Sequence, residues 1–330
     1  MKMETLQISS IREQLNVRRD KLSETIKHMP EHSNLIGLLQ QVDTALKKID
    51  HGTYGICEVC QGTVEEERLF IDPLVTVCLS CLSETQRKSL ESDLEFAAKI
   101  QRNLLPKNNQ SVGGWDFYYH YNPAGPVSGD FTDIIPLNDD SVIFIIGDVS
   151  GKGIPASLMM SHLHGLIHSL LSFGLPVNEI IKKANRLFCE STLLANYATM
   201  VIGKANPDGA IEVAVAGHNP PLLLKDGKVQ SIQATGVPVG LFCEAEYGVN
   251  NLKLTKNDAL LLYTDGLTES FNSSDGGEEF GEQRIINQLV GSGHLATKSV
   301  VEEIIRSQKN WLKESSQTDD VTVLAVKRMV

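Results

Sequence analysis

Carboxylates at the ends of apolar runs are the residues of this sequence with the clearest capacity for chemistry. Asp148 follows the run "SVIFII" after a single glycine and stands within the glycine-rich stretch "GDVSGKG". The same context recurs at Asp130 and Asp133 in "SGDFTD", at Asp265 in "LLLYTDG", and at Asp319 and Asp320 in "QTDDVTVLAV". An ionised carboxylate at the edge of a buried strand is costly unless it is paired or bound to metal. No basic residue lies close enough in sequence to pair with them, which leaves partners distant in sequence open.

The donor types in this set indicate a hard divalent cation. Carboxylates without a neighbouring histidine or thiol suit Mg²⁺ or Mn²⁺. Two such ions about 4 Å apart can share a water, lower its pKa and direct it at a phosphoryl group. Glycines beside Asp148 would let a phosphate approach the backbone closely. Each aspartate taken singly is as readily a turn residue, so the prediction depends on the whole set.

Other polar residues near these motifs have less specific interpretations. Lys152 either meets a substrate phosphate or is a solvated loop lysine. Three histidines on one predicted helix are expected to serve packing or the surface rather than catalysis, namely His162, His164 and His168. His218, in "AGHNPP", is expected to hold a loop.

Four of the six cysteines form two matched pairs. Cys57 and Cys60 lie in "CEVC", Cys78 and Cys81 lie in "CLSC", and 17 residues separate the pairs. This spacing is typical of a zinc site in which four thiolates close a tetrahedral shell and leave no position for chemistry. A redox dithiol or a chance group of buried cysteines is the alternative. The remaining two, Cys189 and Cys243, are not paired by pattern and are expected to be packing residues.

The elements that must position these groups change in type along the chain. Apolar residues recur at helical spacing from Ile8 to Met29 and again from Leu35 to Ile49. This pattern predicts either an antiparallel helical hairpin or two surface helices that pack on a core elsewhere. A third helix is predicted over about 84–105, with a stripe of Leu90, Leu94, Ala97, Ile100 and Leu104. From Trp115 onward, short apolar runs are separated by turns such as "NPDG" and "KDG", which is typical of β-strands joined by hairpins. Helices are predicted near 155–173, 177–195 and 298–314. This combination predicts an α+β fold.

Composition limits the class of protein. The 330 residues carry a formal net charge of -11, which argues against broad nucleic-acid binding. No apolar run approaches the roughly 18 residues of a membrane span. The first residues lack the apolar centre of a signal peptide, so a cytoplasmic protein without membrane contact is expected.

Six stretches across residues 115–330 resemble, in order, the motifs of one enzyme family. They are "SGDFTDII", "GDVSGKGIPASLMM", "AGHNPPLLL", "YTDGLTES", "FGEQRI" and "DDVTVLAVKR". They look like the SpoIIE and RsbU-like branch of the metal-dependent protein phosphatases, in the protein phosphatase 2C (PP2C) superfamily. The resemblance implies two antiparallel sheets packed as a sandwich and flanked by helices. It also implies hydrolysis of phosphoserine or phosphothreonine on a protein, with two Mn²⁺ or Mg²⁺ ions.

The resemblance also implies a role for individual residues. Asp148 would bridge both ions, and the Val149 carbonyl would join one of them. Asp265 and Asp319 would complete the shell of the first ion, and Asp130 would hold the second. Asp133 and Asp320 are candidates for outer positions. The branch often has "GGDFYD", whereas this sequence has Ser128 and Thr132 in that motif, and neither change removes a ligand.

Residues 43–82 resemble the DksA/TraR-type zinc finger, whose members carry a helical hairpin and act at RNA polymerase. Longer members have an acidic tip between the two helices. Here the break "HMPEHSN" has Glu31 as its only acid, which argues against polymerase binding.

These observations lead to a specific organisation. We expect a helical hairpin at 1–50, a four-cysteine finger with one structural Zn²⁺ at 51–83, a linker helix at 84–109 and the phosphatase domain at 110–330. The resemblance implies as substrate a phosphorylated anti-sigma-factor antagonist, a STAS-domain protein in a partner-switching pathway. The zinc region would regulate turnover through the linker helix, which would also form a homodimer. The alternative is a regulator associated with RNA polymerase, in which the phosphatase domain is secondary.

Overall fold

The computed structural model describes residues 5–28, 33–192, 196–272, 278–313, 315 and 317–330. The chain forms two compact units, Met1–Asp93 and Leu94–Val330. The break predicted between the first two helices, with Met29 and Glu31, lies outside the described residues. Within the described part of the chain, no helix has the length and apolar character needed to cross a bilayer.

The first unit is built on two long helices, α1 (Thr5–His28) and α2 (Ser33–Asp50). They pack against each other as an antiparallel pair, since Arg12 near the start of α1 lies 2.8 Å from Asp50 at the end of α2. Ile11 and Leu15 of α1 meet Val42 and Ile49 of α2 in one buried cluster, which also holds Cys57, Val64, Leu69 and Cys78. The hairpin and the cysteine segment therefore share a core. A short helix α3 (Glu66–Ile71) lies between the two cysteine pairs, and α4 (Glu84–Leu104) follows the second pair.

The second unit combines strands with helices, as the turn-rich sequence predicts. Its helices after α4 are α5 (Gly153–Leu171), α6 (Val177–Ser191), α7 (Asp265–Thr268), α8 (Glu282–Ser292) and α9 (Thr297–Leu312). Its strands are β1 (Asn109–Val112), β2 (Trp115–Asn122), β3 (Phe131–Pro136), β4 (Val142–Val149), β5 (Ala198–Ala205), β6 (Ala210–Ala216), β7 (Leu222–Lys225), β8 (Lys228–Ser231), β9 (Asn250–Lys253), β10 (Ala259–Tyr263), β11 (Phe271–Asn272), β12 (Glu278–Glu279) and β13 (Val321–Arg328).

Two antiparallel sheets form the centre of this unit. In the described residues one sheet has the order β1-β2-β13-β10-β7-β8, the other has the order β3-β4-β5-β6-β9, and β11 pairs with β12 separately. A buried cluster that includes Trp115, Phe144 and Leu262 fills the space between the two sheets. Helices α5 and α6 cover the outer face of the second sheet, and α8 and α9 cover the outer face of the first. The predicted α+β sandwich flanked by helices is confirmed.

Strand β4 explains the unbroken apolar run before Asp148. Its side chains alternate between two buried faces. Ile143 and Ile145 pack under α5 and α6. Phe144 and Ile146 point between the sheets. Both faces of the strand are buried, so it carries no polar alternation until it reaches its end.

The packed face of α4 differs from the predicted stripe. Ala98 and Gln101 are its buried residues, whereas Ile100 is 49% exposed and Phe96 is 66% exposed. A polar residue, Gln101, occupies a buried position because its amide finds backbone partners, and apolar spacing alone cannot show this.

The prediction for the remaining two cysteines is wrong. Cys189 at the end of α6 and Cys243 are joined as a disulfide, with their Cα atoms 5.4 Å apart. Asn185, one turn before Cys189, donates from its side-chain amide to the carbonyls of Phe242 and Cys243. These contacts bring a segment 54 residues further along the chain against α6, and sequence spacing does not show that proximity.

Candidate active site and four-cysteine centre

The register of the strands brings the carboxylates together at one end of the sandwich. Ile134 and Ile146 face the space between the sheets, and steps of two residues from them along β3 and β4 lead to Asp130 and Asp148. On the opposite sheet, Leu262 and Leu324 also face this space. Thr264 and Thr322 are each two residues away from one of them and therefore lie on the same side. Groups from both sheets therefore meet at the mouth of the space between them.

Asp130 is the most deeply buried of these carboxylates. It is 1% exposed, and its Oδ2 accepts hydrogen bonds from Thr264 Oγ1 at 2.8 Å and Thr322 Oγ1 at 2.6 Å. Burial, and next the negative charge of Asp148, raise the pKa of Asp130 well above its ordinary value. The two threonines thus position one oxygen of a carboxylate that otherwise lacks a compensating positive charge.

Asp148 stands at the centre of the acidic group. Burial, followed by the charges of Asp265, Asp319 and Asp320, raises the pKa of Asp148 to about 7, although a hydrogen bond with Asp130 acts in the opposite direction. Burial and the charge of Asp319 also raise the pKa of Asp265, which opens the short helix α7. These carboxylates therefore form a cluster with excess negative charge, the environment that a cation relieves.

Two glycines allow the backbone segments of the cluster to approach closely. A Cβ added at Gly129 would lie 2.7 Å from the Val149 carbonyl oxygen and 3.2 Å from Asp148 Oδ1. A Cβ added at Gly266 would lie 2.0 Å from the carbonyl oxygen of Asp320. Any side chain at either position would push these groups apart. The "SGD" and "TDG" glycines are therefore required by packing beside the carboxylates.

The loop after Asp148 is open on its outer side. Gly151 and Gly153 have φ values of +97° and +69°, which other residues rarely adopt, and no heavy atom lies within 4 Å of a Cβ built on either. Lys152 between them is 65% exposed and donates from Nζ to Asp319 Oδ2 at 2.9 Å and to the Thr318 carbonyl. A positive group distant in sequence thus pairs with one aspartate of the cluster.

Asp320 organises the loop that leads into Asp130. Its Oδ2 accepts hydrogen bonds from Ser128 Oγ at 2.6 Å and from the Gly129 backbone at 3.2 Å. Its Oδ1 accepts from the Ala124 backbone at 2.7 Å. Asp319 instead faces Lys152, so the two adjacent aspartates have different partners.

Asp133 lies away from this cluster. It is three residues beyond Asp130 on β3, so its side chain faces α5 instead of the space between the sheets. There it meets His164 and His168. His218, expected to hold a loop, is buried, and its Nδ1 lies 2.8 Å from the Thr199 hydroxyl. Burial lowers the pKa of His218 to about 4.

Several site residues were missed by sequence reasoning although three of them lie inside the quoted motifs. Thr264, Thr322 and Ser128 orient carboxylates or their loops through hydroxyl groups. Gln101 binds the backbone of Ser128 from α4. The "TD" and "DDVT" patterns contain the threonines. Nothing in the sequence pairs Gln101 with a segment 27 residues away.

The donors of the acidic cluster fit hard divalent cations. The carboxylates of Asp130, Asp148, Asp265 and Asp319 and the Val149 carbonyl offer only oxygen. The raised pKa values of Asp130, Asp148 and Asp265 indicate that the negative charge of these three carboxylates is under-compensated. Mg²⁺ or Mn²⁺ would supply the missing positive charge.

The four cysteines of the first unit also converge. Their sulfur atoms lie within 4.8 Å of one another, and Cys60 Sγ is 3.7 Å from Cys78 Sγ. Backbone N–H groups of Cys60 and Cys78 lower the pKa of Cys57 to about 6, which favours a thiolate. The Cys78 N–H lies 3.4 Å from Cys57 Sγ. This arrangement fits a structural zinc ion rather than a group of unrelated cysteines.

Comparison with known proteins identifies a family for each part of the chain. The family model described as Stage II sporulation protein E (SpoIIE) matches residues 138–329, and the prokaryotic dksA/traR C4-type zinc finger matches residues 52–87. The second unit resembles the SiaA-PP2C domain of Pseudomonas aeruginosa with a TM-score of 0.64 and 21% identity, over 73% of this chain and 97% of that one. The fold is therefore that of PP2C-type phosphatases. The chain belongs to the SpoIIE family and carries a DksA/TraR-type zinc finger.

Two curated relatives extend the similarity in sequence. Phosphoserine phosphatase RsbU of Bacillus subtilis is 27% identical over 248 residues, which is 74% of this chain and 72% of RsbU. Protein IcfG of Synechocystis is 28% identical over 266 residues, which is 72% of this chain but only 41% of IcfG. The chain thus spans less than half the length of IcfG and most of RsbU.

Proposed function

We propose that this protein is a metal-dependent protein serine/threonine phosphatase. The observation that carries the proposal is the convergence of Asp130, Asp148, Asp265 and Asp319 at one end of a PP2C-type sandwich, with raised pKa values where they are buried. Similarity to the phosphoserine phosphatase RsbU supports the same activity.

In this proposal the residues of the aspartate cluster bind two ions, Mn²⁺ or Mg²⁺. Asp148 would contribute to both ions, the Val149 carbonyl, Asp265 and Asp319 would complete one set of ligands, and Asp130 would belong to the other. Such ions supply Lewis acidity, which lowers the pKa of water and withdraws charge from a phosphoryl group. Thr264 and Thr322 hold the Asp130 carboxylate in one orientation. Lys152, at the exposed rim, offsets the charge of Asp319 and can also meet a phosphate dianion.

The substrate that we propose is a phosphoserine or phosphothreonine protein of the STAS class, an anti-sigma-factor antagonist in a partner-switching pathway. The motif resemblance to the SpoIIE and RsbU-like branch implies this class, and similarity to the phosphoserine phosphatase RsbU supports phosphoserine as the group that is hydrolysed. The open loop at Gly151 and Gly153 leaves space for a folded protein substrate to bring its phosphate to the cluster. We also propose that the chain is divided into a helical hairpin, a four-cysteine finger, a linker helix and a phosphatase domain, at residues 1–50, 51–83, 84–109 and 110–330. The location that we propose is the cytoplasm.

The first unit is proposed to hold one Zn²⁺ through Cys57, Cys60, Cys78 and Cys81 and to regulate turnover through α4. Exposed Phe96 and Ile100, one turn apart on α4, support a homodimer through this helix. The alternative partner of the first unit is RNA polymerase, which is implied only by the resemblance of its finger to the DksA/TraR type. Co-purification with polymerase without turnover would favour that alternative.

The test is turnover of a phosphorylated STAS-domain protein by the purified chain with Mn²⁺, measured by phosphate release. Release that requires Mn²⁺ or Mg²⁺ and disappears in Asp148→Asn is the expected result. Release of equal rate from Asp148→Asn, or in the absence of divalent ions, would contradict the proposal. A matched phosphotyrosine protein serves as the control for the class of phosphoester.

A further inference from the structure

A second polar cluster lies on the outer side of β3, under α5. The Oδ2 atom of Asp133 lies 3.0 Å from His164 Nε2 and 2.5 Å from His168 Nε2. Asp133 Oδ1 accepts the backbone N–H of Ile134 at 2.8 Å, so the carboxylate presents its other oxygen to both rings. The two imidazole rings are 4.3 Å apart between centroids. Three potential ligand atoms, one from each side chain, therefore lie within 4.8 Å of one another.

We propose that Asp133, His164 and His168 bind a divalent cation of the zinc class, distinct from the ions of the aspartate cluster. Two histidines four residues apart occupy one face of a helix and can reach a single ion. Imidazole nitrogen with one carboxylate suits Zn²⁺, whereas the aspartate cluster offers only oxygen and suits Mg²⁺ or Mn²⁺. An ion about 2.0–2.2 Å from each donor would replace the two hydrogen bonds that now join these groups.

The surroundings give this site both rigidity and access. The side chains of Asp133 and His164 are 6% and 11% exposed, while that of His168 is 43% exposed. Met160, Leu163 and Ile167 fix the buried side of α5 beside them. An ion can therefore enter from the side of His168, and solvent can complete its coordination.

The position of the site joins two elements that carry groups of the aspartate cluster. Strand β3 starts directly after Asp130, and α5 starts directly after the loop that follows Asp148. A bound ion would clamp α5 to β3 and stabilise the fold by mass action. This effect does not depend on the proposed phosphatase activity, so either proposal can fail alone.

The experiment measures zinc bound by the full chain at equilibrium. Protein with its four-cysteine centre filled by one equivalent of Zn²⁺ is dialysed against excess Mg²⁺, which occupies the aspartate cluster, and then against added Zn²⁺. Metal content and melting temperature are recorded for the wild type, His168→Ala, Asp133→Asn and His162→Ala. His162 lies on the same helix but contacts Ser191 instead, so it is the matched control. Asp133→Asn keeps an oxygen that can accept hydrogen bonds but removes the charge that a cation requires.

The expected result is one additional zinc ion per chain in the wild type and in His162→Ala, with a rise in melting temperature on adding Zn²⁺. Both effects should be absent in His168→Ala and Asp133→Asn, and circular dichroism should show that these variants are folded. Equal zinc content in the wild type and His168→Ala would overturn the proposal and leave a hydrogen-bonded cluster. Equal loss in His162→Ala would overturn it as well, because it would indicate unspecific binding by surface histidines.

Discussion

The side-chain amide of Gln101 makes two hydrogen bonds to the backbone of Ser128. Its Nε2 donates to the Ser128 carbonyl at 2.7 Å, and its Oε1 accepts from the Ser128 N–H at 3.0 Å. Ser128 Oγ in turn donates to Asp320 at 2.6 Å and accepts from the Asp130 N–H at 3.0 Å. A buried side chain of α4 is thus two contacts away from a proposed metal ligand. The last turns of α4 therefore belong to the structure that positions the site.

Gln101→Ala should weaken metal binding. The change leaves a buried N–H and carbonyl without their partners, at a cost of about 1–3 kcal/mol. Because Ser128 then loses its anchor, Asp130 is held less firmly. We expect the Mn²⁺ concentration for half-maximal phosphatase activity to rise several-fold, measured by titration. Asn103→Ala, two residues further along α4 and exposed, is the control and should match the wild type. An unchanged Mn²⁺ titration in Gln101→Ala would show that the contact is only structural.

Asp148→Asn should stabilise the metal-free protein and abolish its activity. Burial and neighbouring aspartates raise the folded pKa of Asp148 to about 7, so its ionisation destabilises the fold. This penalty grows as the pH rises from about 4 through 7 and is fully present above that range. At pH 8 the free energy of unfolding without metal should therefore increase by on the order of 1–3 kcal/mol, with little gain near pH 4. Urea unfolding in the presence of a chelator measures this.

The same variant should lose the response to Mn²⁺. Turnover should fall by at least about a hundredfold, because a ligand shared by both ions is lost. The rise in melting temperature on adding Mn²⁺ should disappear as well. Asp226→Asn, in an exposed turn, should change neither property. A metal-free Asp148→Asn protein that is less stable than the wild type at pH 8 would contradict the interpretation of the acidic cluster.

The two proposed kinds of metal should separate under mild chelation. Four thiolates enclose zinc, whereas oxygen ligands at an open site release Mn²⁺ or Mg²⁺ readily. After dialysis against EDTA, zinc should remain at one ion per chain while activity vanishes, and Mn²⁺ alone should restore activity. Elemental analysis alongside phosphate release measures both. Cys78→Ser should lose the zinc, and retention of activity through complete removal of Mg²⁺ and Mn²⁺ would contradict the assignment.

Acid should destabilise the second unit through His218. Burial lowers the pKa of His218 to about 4, so the unfolded chain takes up its proton first as the pH falls. Above about pH 6.5 His218 is neutral in both the folded and the unfolded chain, so it does not reduce the free energy of unfolding. As the pH falls from there toward 4, the free energy of unfolding decreases, because only the unfolded chain takes up the proton. Between pH 7 and pH 5 the loss should be about 2 kcal/mol. His218→Gln should reduce the pH dependence by this amount in urea unfolding, whereas exposed His294→Gln should not. Identical pH profiles for the wild type and His218→Gln would show that His218 does not carry the effect.

The sequence predicts the α+β fold and the four-cysteine centre because both leave local signals, whereas the sandwich is what the family resemblance implies. Apolar runs ending in carboxylates mark the strand ends, and the spacing of Cys57, Cys60, Cys78 and Cys81 marks one centre. Asp130 and Asp133 are three residues apart, so alternation along β3 places their side chains on opposite sides of the sheet. This assignment requires the bounds of β3, which the sequence does not give. The disulfide between Cys189 and Cys243 and the contact of Gln101 with Ser128 depend on residues far apart in the chain. No local pattern contains such information, so these features could not be predicted.

We expect α4 to act as the regulatory element. The helix begins three residues after Cys81 and ends at Leu104. Ala98 and Gln101 are its buried residues, and Gln101 contacts Ser128 in the unit that carries the site. A helix can transmit a signal only if it has two alternative packings of similar energy. A two-residue insertion after Ser89 rotates the residues before it by about 200° relative to Gln101 while leaving the Gln101 contact intact.

If α4 is a switch, this insertion should change turnover at saturating Mn²⁺, whereas its half-maximal Mn²⁺ concentration should stay that of the wild type. Leu94→Pro breaks the helix between the cysteine centre and Gln101, and it should give the unregulated rate. A chain of residues 110–330 lacks Gln101, so it should combine the unregulated rate with weaker Mn²⁺ binding. Phosphate release over a Mn²⁺ titration separates these cases. A passive spacer instead predicts wild-type turnover for the insertion and for Leu94→Pro, and that outcome would leave Gln101 with a purely local role.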